Sequence, residues 1–235
     1  MNAFLLAAGM GSRLKPLTLT VPKCLVEIDG RPLLEYWLKM LRHPLIDSVY
    51  INMHYMHNKV EEYLSEQHIV PTNAIFEPEL LGTAGTLKKN CDKLRGKPLI
   101  VIHADNLSLF SMSKFIERHN QRSEGCVVTM MTFKTDNPSQ CGVIELNELG
   151  LVSQFHEKVD NPPSNIANGA VYIFEPEIID FISRIPKDTI DISLDIIPRY
   201  LGRIQTFYND TYHRDIGTPQ SYALAQKEFS SVKMI

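Results

Sequence analysis

Phe4-Leu5-Leu6-Ala7-Ala8-Gly9-Met10-Gly11-Ser12-Arg13-Leu14-Lys15-Pro16-Leu17-Thr18, followed closely by Val21-Pro22-Lys23, sets the frame for the rest of the chain. Its apolar start, Ala3–Ala8, reads as a buried first strand that breaks into small residues before meeting Arg13. Small residues let backbone N–H groups approach an anion closely, and Arg and Lys add charge that can neutralise phosphates. A Gly9-x-Gly11 turn alone would be an ordinary glycine turn beside a solvated Arg. Arg13, Pro16, Pro22 and Lys23 together turn the reading toward phosphate binding. The loop is not a Walker A motif, because Gly11-Ser12-Arg13 lacks the Gly-Lys-Ser/Thr ending. It is not the dinucleotide fingerprint either, because Leu14 stands where the third glycine belongs.

Outward from this loop, short apolar runs alternate with helical patterns, the signature of an α/β chain with a largely parallel sheet. Pro32–His43 reads as a helix with Leu33, Leu34, Trp37, Leu38 and Leu41 on one face. Ser48–Met53 is the next strand, Asn58–Glu66 a short helix, Ala74–Phe76 a brief strand, and Thr83–Leu94 a helix. Pro98–His103 is the clearest apolar strand after the first, and Ser111–Gln121 reads as a helix. Beyond it, Cys126–Phe133, Gly142–Leu146, Leu151–Phe155 and Ala167–Phe174 read as added strands, some antiparallel, forming a substrate-side lobe. Glu175–Ser183, Ser193–Tyr200 and Thr218–Phe229 read as helices and Arg203–Tyr208 as extended chain. The expected architecture is Rossmann-like: three layers around a mixed, mostly parallel sheet, with a small antiparallel lobe. One domain over 1–235 is expected, in two parts, 1–125 and 126–235, divided where the pattern changes.

The 235 residues are enough to bury a sizeable core, and 44% hydrophobic with 22% charged residues is ordinary for a globular chain. A formal net charge of -3 argues against nucleic acid as a partner while leaving a small anionic ligand open. Cys24, Cys91, Cys126 and Cys141 form no C-x-x-C pair and have no His at zinc spacing, so reduced thiols are expected. The apolar start is too short to span a membrane and lacks the basic flank of a signal peptide. These readings together predict a compact cytoplasmic protein without a membrane partner.

Three further constellations stand out. Glu77-Pro78-Glu79-Leu80-Leu81-Gly82-Thr83-Ala84-Gly85-Thr86 joins an acidic turn to a small-residue segment that opens a helix. Thr83 as a helix cap and a flat surface for a nucleobase are readings of equal weight. Asp105 ends the strand Leu99–Ala104, and Asp215 lies in His213-Arg214-Asp215-Ile216-Gly217-Thr218-Pro219. Each alone is an ordinary turn or cap residue; meeting at strand ends, the two would suit Mg²⁺, which takes one or two carboxylates plus phosphate and water. Phe155-His156-Glu157-Lys158 precedes a Pro-rich turn and then Asn168-Gly169-Ala170. A Glu-Lys pair is usually a solvated surface pair, yet here it could hold a sugar hydroxyl and a phosphate. His103 and His156 read as local hydrogen-bonding or core residues.

Taken in order along nearly the whole chain, these segments resemble the sugar-1-phosphate nucleotidylyltransferases. The resemblance rests on the Gly9/Gly11/Arg13 loop, Pro22-Lys23, Leu81-Gly82-Thr83-Ala84-Gly85, the strand ending in Asp105, Gly142, Glu157-Lys158, Asn168-Gly169-Ala170 and Asp215-Ile216-Gly217-Thr218-Pro219. It implies transfer of a nucleoside monophosphate from an NTP to a sugar 1-phosphate with release of pyrophosphate. It further implies that the Leu6, Ala7, Ala8, Gly9, Gly11 and Ser12 backbone holds the nucleotide. Arg13 would contact the departing phosphates, and Lys23 would bridge phosphates of both substrates. Asp105 and Asp215 would coordinate Mg²⁺. Glu157 and Asn168 would hold sugar hydroxyls, Lys158 the sugar phosphate, and Gly142 would let the sugar ring approach closely.

The same resemblance places Glu79, Leu80, Gly82, Thr83 and Ala84 at the base. Uridylyl- and thymidylyl-transferring relatives often carry Gln where Leu80 stands, and Glu79 can accept from the donor edge of guanine. The segment therefore looks most like guanylyltransferases acting on mannose or heptose 1-phosphate for surface polysaccharide. A uridylyl-, thymidylyl- or cytidylyl-transferase on another sugar, and an inactive nucleotide-sugar-sensing subunit, stay open, as does a homo-oligomer. A stand-alone catalytic domain is expected.

Overall fold

The computed structural model describes residues 1–229. The chain opens on β1 (Asn2–Leu6), buried throughout, and then makes three single turns of 3₁₀ helix at Ser12–Leu14, Leu17–Leu19 and Lys23–Leu25. A short ladder of β2 (Glu27–Ile28) with β3 (Arg31–Pro32) leads into α1 (Leu33–Leu41). Next come β4 (Ser48–Met53), α2 (His57–Glu66), β5 (Thr72–Phe76), α3 (Gly82–Lys89) and α4 (Cys91–Leu94). Ala104-Asp105 separates β6 (Leu99–His103) from β7 (Asn106–Leu109), and α5 (Met112–Asn120) follows. The middle of the chain holds β8 (Val128–Lys134), β9 (Gly142–Leu146), β10 (Val152–Glu157) and β11 (Ile166–Phe174). After α6 (Pro176–Ser183) come β12 (Ile204–Tyr208), β13 (Tyr212–Asp215) and α7 (Pro219–Phe229).

These elements form two compact units interleaved in sequence. The first, called here the loop unit, takes Ala3–Glu79, Ile102–Met112 and, among the described residues, Thr211–Phe229. The second, the bulge unit, takes Leu80–Val101 and Ser113–Asp210 together with Met1–Asn2.

In the loop unit the strands lie in the order β6-β1-β4-β5, with β4 and β5 parallel. Ala104 donates to the Leu6 carbonyl at 3.1 Å, extending the β6–β1 ladder beyond β6. The apolar stripe of α1 lands as its periodicity requires: Leu33, Leu34, Trp37, Leu38 and Leu41 are all buried, each burial contributing about 1.5–3 kcal/mol. A second core gathers Leu14, Val26, Ile28, Leu33, Tyr36, Leu107, Ile216, Ala225 and Phe229, so that α7 returns to pack beside the first loop.

In the bulge unit the order is β10-β9-β11-β6, and β8 pairs β11 on one side and β12 on the other. The β10–β9, β9–β11 and β11–β8 pairings are antiparallel, and β12–β8 is parallel. This is the antiparallel lobe expected over 126–174. The expected Thr83–Leu94 helix is two helices that separate at Asn90, whose buried side-chain amide turns back to the Thr86 carbonyl at 2.9 Å. Ser193–Tyr200 is one π turn (Ile192–Ile196) and a 3₁₀ turn (Ile197–Tyr200) rather than an α-helix, with Pro198 unable to supply an N–H. The strands β7 and β13 have no counterpart in the periodicity, and they carry the site.

Candidate active site

Within the loop unit, β7 and β13 pair antiparallel in the register Tyr212↔Leu109, His213↔Ser108, Arg214↔Leu107 and Asp215↔Asn106. That register sets Asp215 beside the residue that follows Asp105. The ladder is pinned at several points. Trp37 Nε1 donates to the Asn106 carbonyl at 2.9 Å, and His213 Nδ1 lies 2.6 Å from Ser108 Oγ. Arg214 makes a two-pronged contact with Glu228 on α7, both bonds 2.7 Å, and Tyr212 donates to the same carboxylate at 3.0 Å. Burial, then the Arg214 charge, push the His213 ring down to about 3 against the pull of Asp105, so it is neutral near pH 7.

Lys23 enters from the first loop. Pro22 is extended, and the turn Lys23–Leu25 begins immediately after it. The side chain is buried, with Nζ 2.8 Å from Asp105 Oδ2 and 3.5 Å from Asp215 Oδ1. Burial works against ionisation of Asp105. The Lys23 charge, His103 and hydrogen bonds from Lys23 and its own backbone outweigh it and hold the carboxyl below its usual value. Both carboxylates remain open to solvent, with side-chain exposures of 40% for Asp105 and 55% for Asp215. Arg13 is exposed and reaches the same place: a Cβ on Gly217 would meet Asp215 Oδ2 at 2.6 Å and Arg13 Nη2 at 3.1 Å. The structure thus brings Arg13, Lys23, Asp105 and Asp215 together.

The loop's path has its own supports. Gly11 sits at φ +60°, and a Cβ there would meet Thr18 Cγ2 at 2.8 Å and Lys23 Cβ at 3.1 Å. The Gly11 carbonyl accepts from the buried Thr18 hydroxyl at 2.8 Å, and the Thr18 carbonyl accepts from Tyr55 at 2.9 Å. Gly9 and Ser12 face solvent, Ala8 is buried, and the Ala7 N–H is taken by Asn52 Oδ1 at 2.8 Å. Cys24, next to Lys23, is buried, and burial pushes its thiol up to about 12, which makes it inert as a nucleophile.

In the bulge unit a second polar group forms. Gly142 lies opposite Glu157 in the β9–β10 ladder. A Cβ on Gly142 would strike the Phe155 ring at 2.5 Å and Glu157 Oε2 at 2.6 Å. On the side a Cβ would occupy, the room that Gly142 leaves is taken by the Phe155 and Glu157 side chains. Lys158, at φ +51°, turns back so that its Nζ is 3.2 Å from Glu157 Oε1.

The β11–β8 register shifts between Asn168 and Tyr172, with Ala170 at φ +54°. The bulge aims Asn168, whose Oδ1 accepts from the Ala170 N–H at 3.0 Å and whose Nδ2 donates to the Tyr172 hydroxyl at 2.6 Å. Burial raises the Tyr172 hydroxyl's pKa, opposed by the Asn168 and Ser193 hydrogen bonds and reinforced by Asp191 and Glu157. Tyr172 escaped the sequence reading because a buried tyrosine in a strand reads as core.

The segment Gly82–Gly85 is also in the bulge unit. Ala84 is buried and its N–H donates to the Ile190 carbonyl at 2.8 Å. Thr83 is not the helix cap, since Leu81 occupies that position. Its hydroxyl donates to Asp191 Oδ2 at 3.1 Å and accepts from the Ile192 N–H at 2.7 Å. Leu80 is exposed, and so is Glu79 at the edge of the loop unit. His156 forms a local pair with Glu145 at 2.7 Å. Among the described residues no cluster of three or more His, Cys, Asp or Glu could hold a metal, and no helix is long and apolar enough to cross a membrane.

The family model for nucleotidyl transferases matches residues 2–231. The chain belongs to that family. Curated relatives include mannose-1-phosphate guanylyltransferase 1 of Arabidopsis thaliana, 31% identical over 94% of this chain and 63% of its own length. The mannose-1-phosphate guanyltransferase of Saccharomyces cerevisiae is 30% identical over the same shares. The chain thus spans about 63–64% of the length of the curated relatives it matches. Among solved structures, HddC from Yersinia pseudotuberculosis overlays with a TM-score of 0.79 at 27% identity, covering 97% of this chain and 99% of that one. The same protein has been solved with GMP-PN. A Bacillus anthracis protein solved with sucrose overlays with a TM-score of 0.89 at 21% identity, which shows the fold alone.

Proposed function

We propose that this nucleotidyl transferase moves GMP from GTP to the phosphate of a mannose- or heptose-type sugar 1-phosphate, releasing pyrophosphate. The observation that carries this reading is Lys23 Nζ held between the carboxylates of Asp105 and Asp215 beside Arg13. Two cationic side chains and two accessible carboxylates are what a triphosphate with a divalent cation requires. The guanine and mannose assignments draw on the names of the curated relatives and on the GMP-PN complex of HddC.

A sugar 1-phosphate is already anionic near neutral pH, so its oxygen can attack the α-phosphorus without a general base. The protein's task is then alignment and neutralisation of crowded negative charge. Arg13 takes the departing phosphates. Lys23, with its ammonium anchored on Asp105, offers its remaining donors to the α-phosphate and the incoming phosphate. Asp105 and Asp215 supply hard oxygen donors already drawn toward one cationic centre and open to solvent, so the pair fits Mg²⁺ with phosphate and water completing its shell. The ion would supply charge neutralisation on the phosphates. Glu79 and Leu80 are the residues that the family resemblance assigns to the base. Glu157, Lys158 and Asn168 are the polar groups offered to the sugar phosphate.

The test is pyrophosphate release from each NTP against a panel of sugar 1-phosphates. GTP with mannose or heptose 1-phosphate should give the highest kcat/KM, and EDTA should abolish turnover until Mg²⁺ is restored. Turnover with UTP or dTTP and none with GTP would sink the guanine assignment. Turnover undiminished by EDTA would remove the metal role.

A further inference from the structure

The peptide between Leu6 and Ala7, where β1 gives way to the first loop, is gripped from both sides within the loop unit. Its carbonyl accepts from the N–H of Ala104, the residue before Asp105, at 3.1 Å. Its N–H donates to Asn52 Oδ1 at 2.8 Å, and Asn52 Nδ2 in turn donates to Glu77 Oε2 at 3.0 Å. Both side chains are buried, with Asn52 4% and Glu77 1% exposed. The parallel β4–β5 register explains the meeting: Met53 lies opposite Phe76, and the Glu77 N–H then donates to the Met53 carbonyl at 2.9 Å.

An amide side chain can be turned over without changing its shape, so something must fix which end faces the loop. The Ala7 N–H can only donate and therefore requires the Asn52 oxygen. That leaves the Asn52 NH₂ facing Glu77, whose carboxylate accepts. Donor and acceptor alternate along the whole chain from Glu77 through Asn52 to the Leu6–Ala7 peptide and on to Ala104. Burying an acidic side chain is costly unless it is paired, so a hydrophobic packing role would be met more cheaply by an apolar residue.

We infer that Asn52 and Glu77 are positioning residues that set the orientation of the Leu6–Ala7 peptide, and through it the nucleotide loop and the strand end bearing Asp105. The inference rests on the proposed nucleotide-binding role of that loop. Neither residue touches the ligand; both act through the backbone they hold.

The test reverses the pair. In Asn52→Asp the new carboxylate can still accept from Ala7, but its second oxygen faces that of Glu77, acceptor against acceptor. KM for GTP, or for whichever NTP the wild type turns over, should rise about tenfold or more. KM for the sugar 1-phosphate at saturating NTP should stay within about twofold; general destabilisation would instead lower the apparent kcat through the folded fraction and leave both KM values unchanged. The double variant N52D/E77Q restores alternation, because the amide that Glu77→Gln introduces can donate to the carboxylate at position 52. It should bring KM for the NTP back to within about threefold of wild type.

A folded Asn52→Asp variant with wild-type KM for the NTP overturns the inference. So does a folded double variant as impaired as the single one. If Asn52→Asp fails to fold, the double variant alone decides, by the same threefold mark. Failure of the underlying reading looks different: the wild type itself would neither turn over nor bind any NTP by calorimetry.

Discussion

Gly9-Met10-Gly11-Ser12 in the loop unit and Gly82-Thr83-Ala84-Gly85 in the bulge unit are both runs of small residues that a sequence reader assigns to ligand binding. Their surroundings differ most between Gly9 and the glycines of the second run. Around Gly9 an added Cβ would meet nothing within 4 Å, and Gly9, Met10 and Ser12 are exposed. At Gly82 the same atom would lie 2.5 Å from the Ile190 carbonyl oxygen, and at Gly85 it would lie 2.2 Å from that of Asp188. In the first run only Gly9 leaves a surface open, since Gly11, at φ +60°, is met by the Thr18 and Lys23 side chains. The second is small because another stretch of backbone already lies against it, with Ala84 and Gly85 both donating to the Ile190 carbonyl. A glycine-rich signature reports close approach without saying what approaches.

This contrast can be broken in order of effect. Arg13→Ala removes an exposed guanidinium from the first run's end. It should lower kcat by about 10²–10³-fold while unfolding free energy moves by less than about 0.5 kcal/mol. A matching loss of stability would show the loop to be structural. Gly82→Ala should do the reverse, because φ there is +74° and the new methyl would meet backbone that cannot yield cheaply. A left-handed cost of about 1–2 kcal/mol plus overpacking of about 1–3 kcal/mol predicts a total of about 2–5 kcal/mol in urea unfolding. An unchanged midpoint would mean that the 188–192 segment gives way freely.

Thr83→Val keeps the shape of the second run and deletes its hydroxyl, leaving the Ile192 N–H without its acceptor. The expected loss is about 1–2 kcal/mol in the same urea titration, and a neutral result would argue that water replaces the hydroxyl. Gly9→Ala is the smallest change to the fold, less than about 0.5 kcal/mol. Its effect should appear only in KM for the NTP, since the methyl points into open space. Wild-type KM in that variant would place the nucleotide away from Gly9.

Much of the architecture was legible in the order of residues. The apolar runs at Ala3–Ala8 and Pro98–His103 and the stripe of Leu33, Leu34, Trp37, Leu38 and Leu41 declare strands and a helix through local periodicity. The change of pattern after residue 125 announced antiparallel strands. Asn106-Leu107-Ser108-Leu109 and Tyr212-His213-Arg214-Asp215 did not read as partners, because four residues of mixed polarity carry no usable period. Asn52 and Glu77 were silent as a pair for a related reason: 25 residues separate them, and only the β4–β5 register sets one against the other. Gly142 was noticed, but that its space is filled by Phe155 and Glu157 depends on the opposing strand.

The order of residues alone carried the layered α/β character, the glycine turn that ends the first strand, and the residue types able to neutralise a triphosphate. Those are local properties, written in side-chain period, backbone freedom and charge. That Lys23 lies between Asp105 and Asp215, that α7 packs with the first loop's core, and that Gly9 and Gly82 have different surroundings came from the folded chain alone. Such outcomes depend on which strands pair and in what register, and pairing is set by the burial of the whole unit rather than by any short stretch of chain.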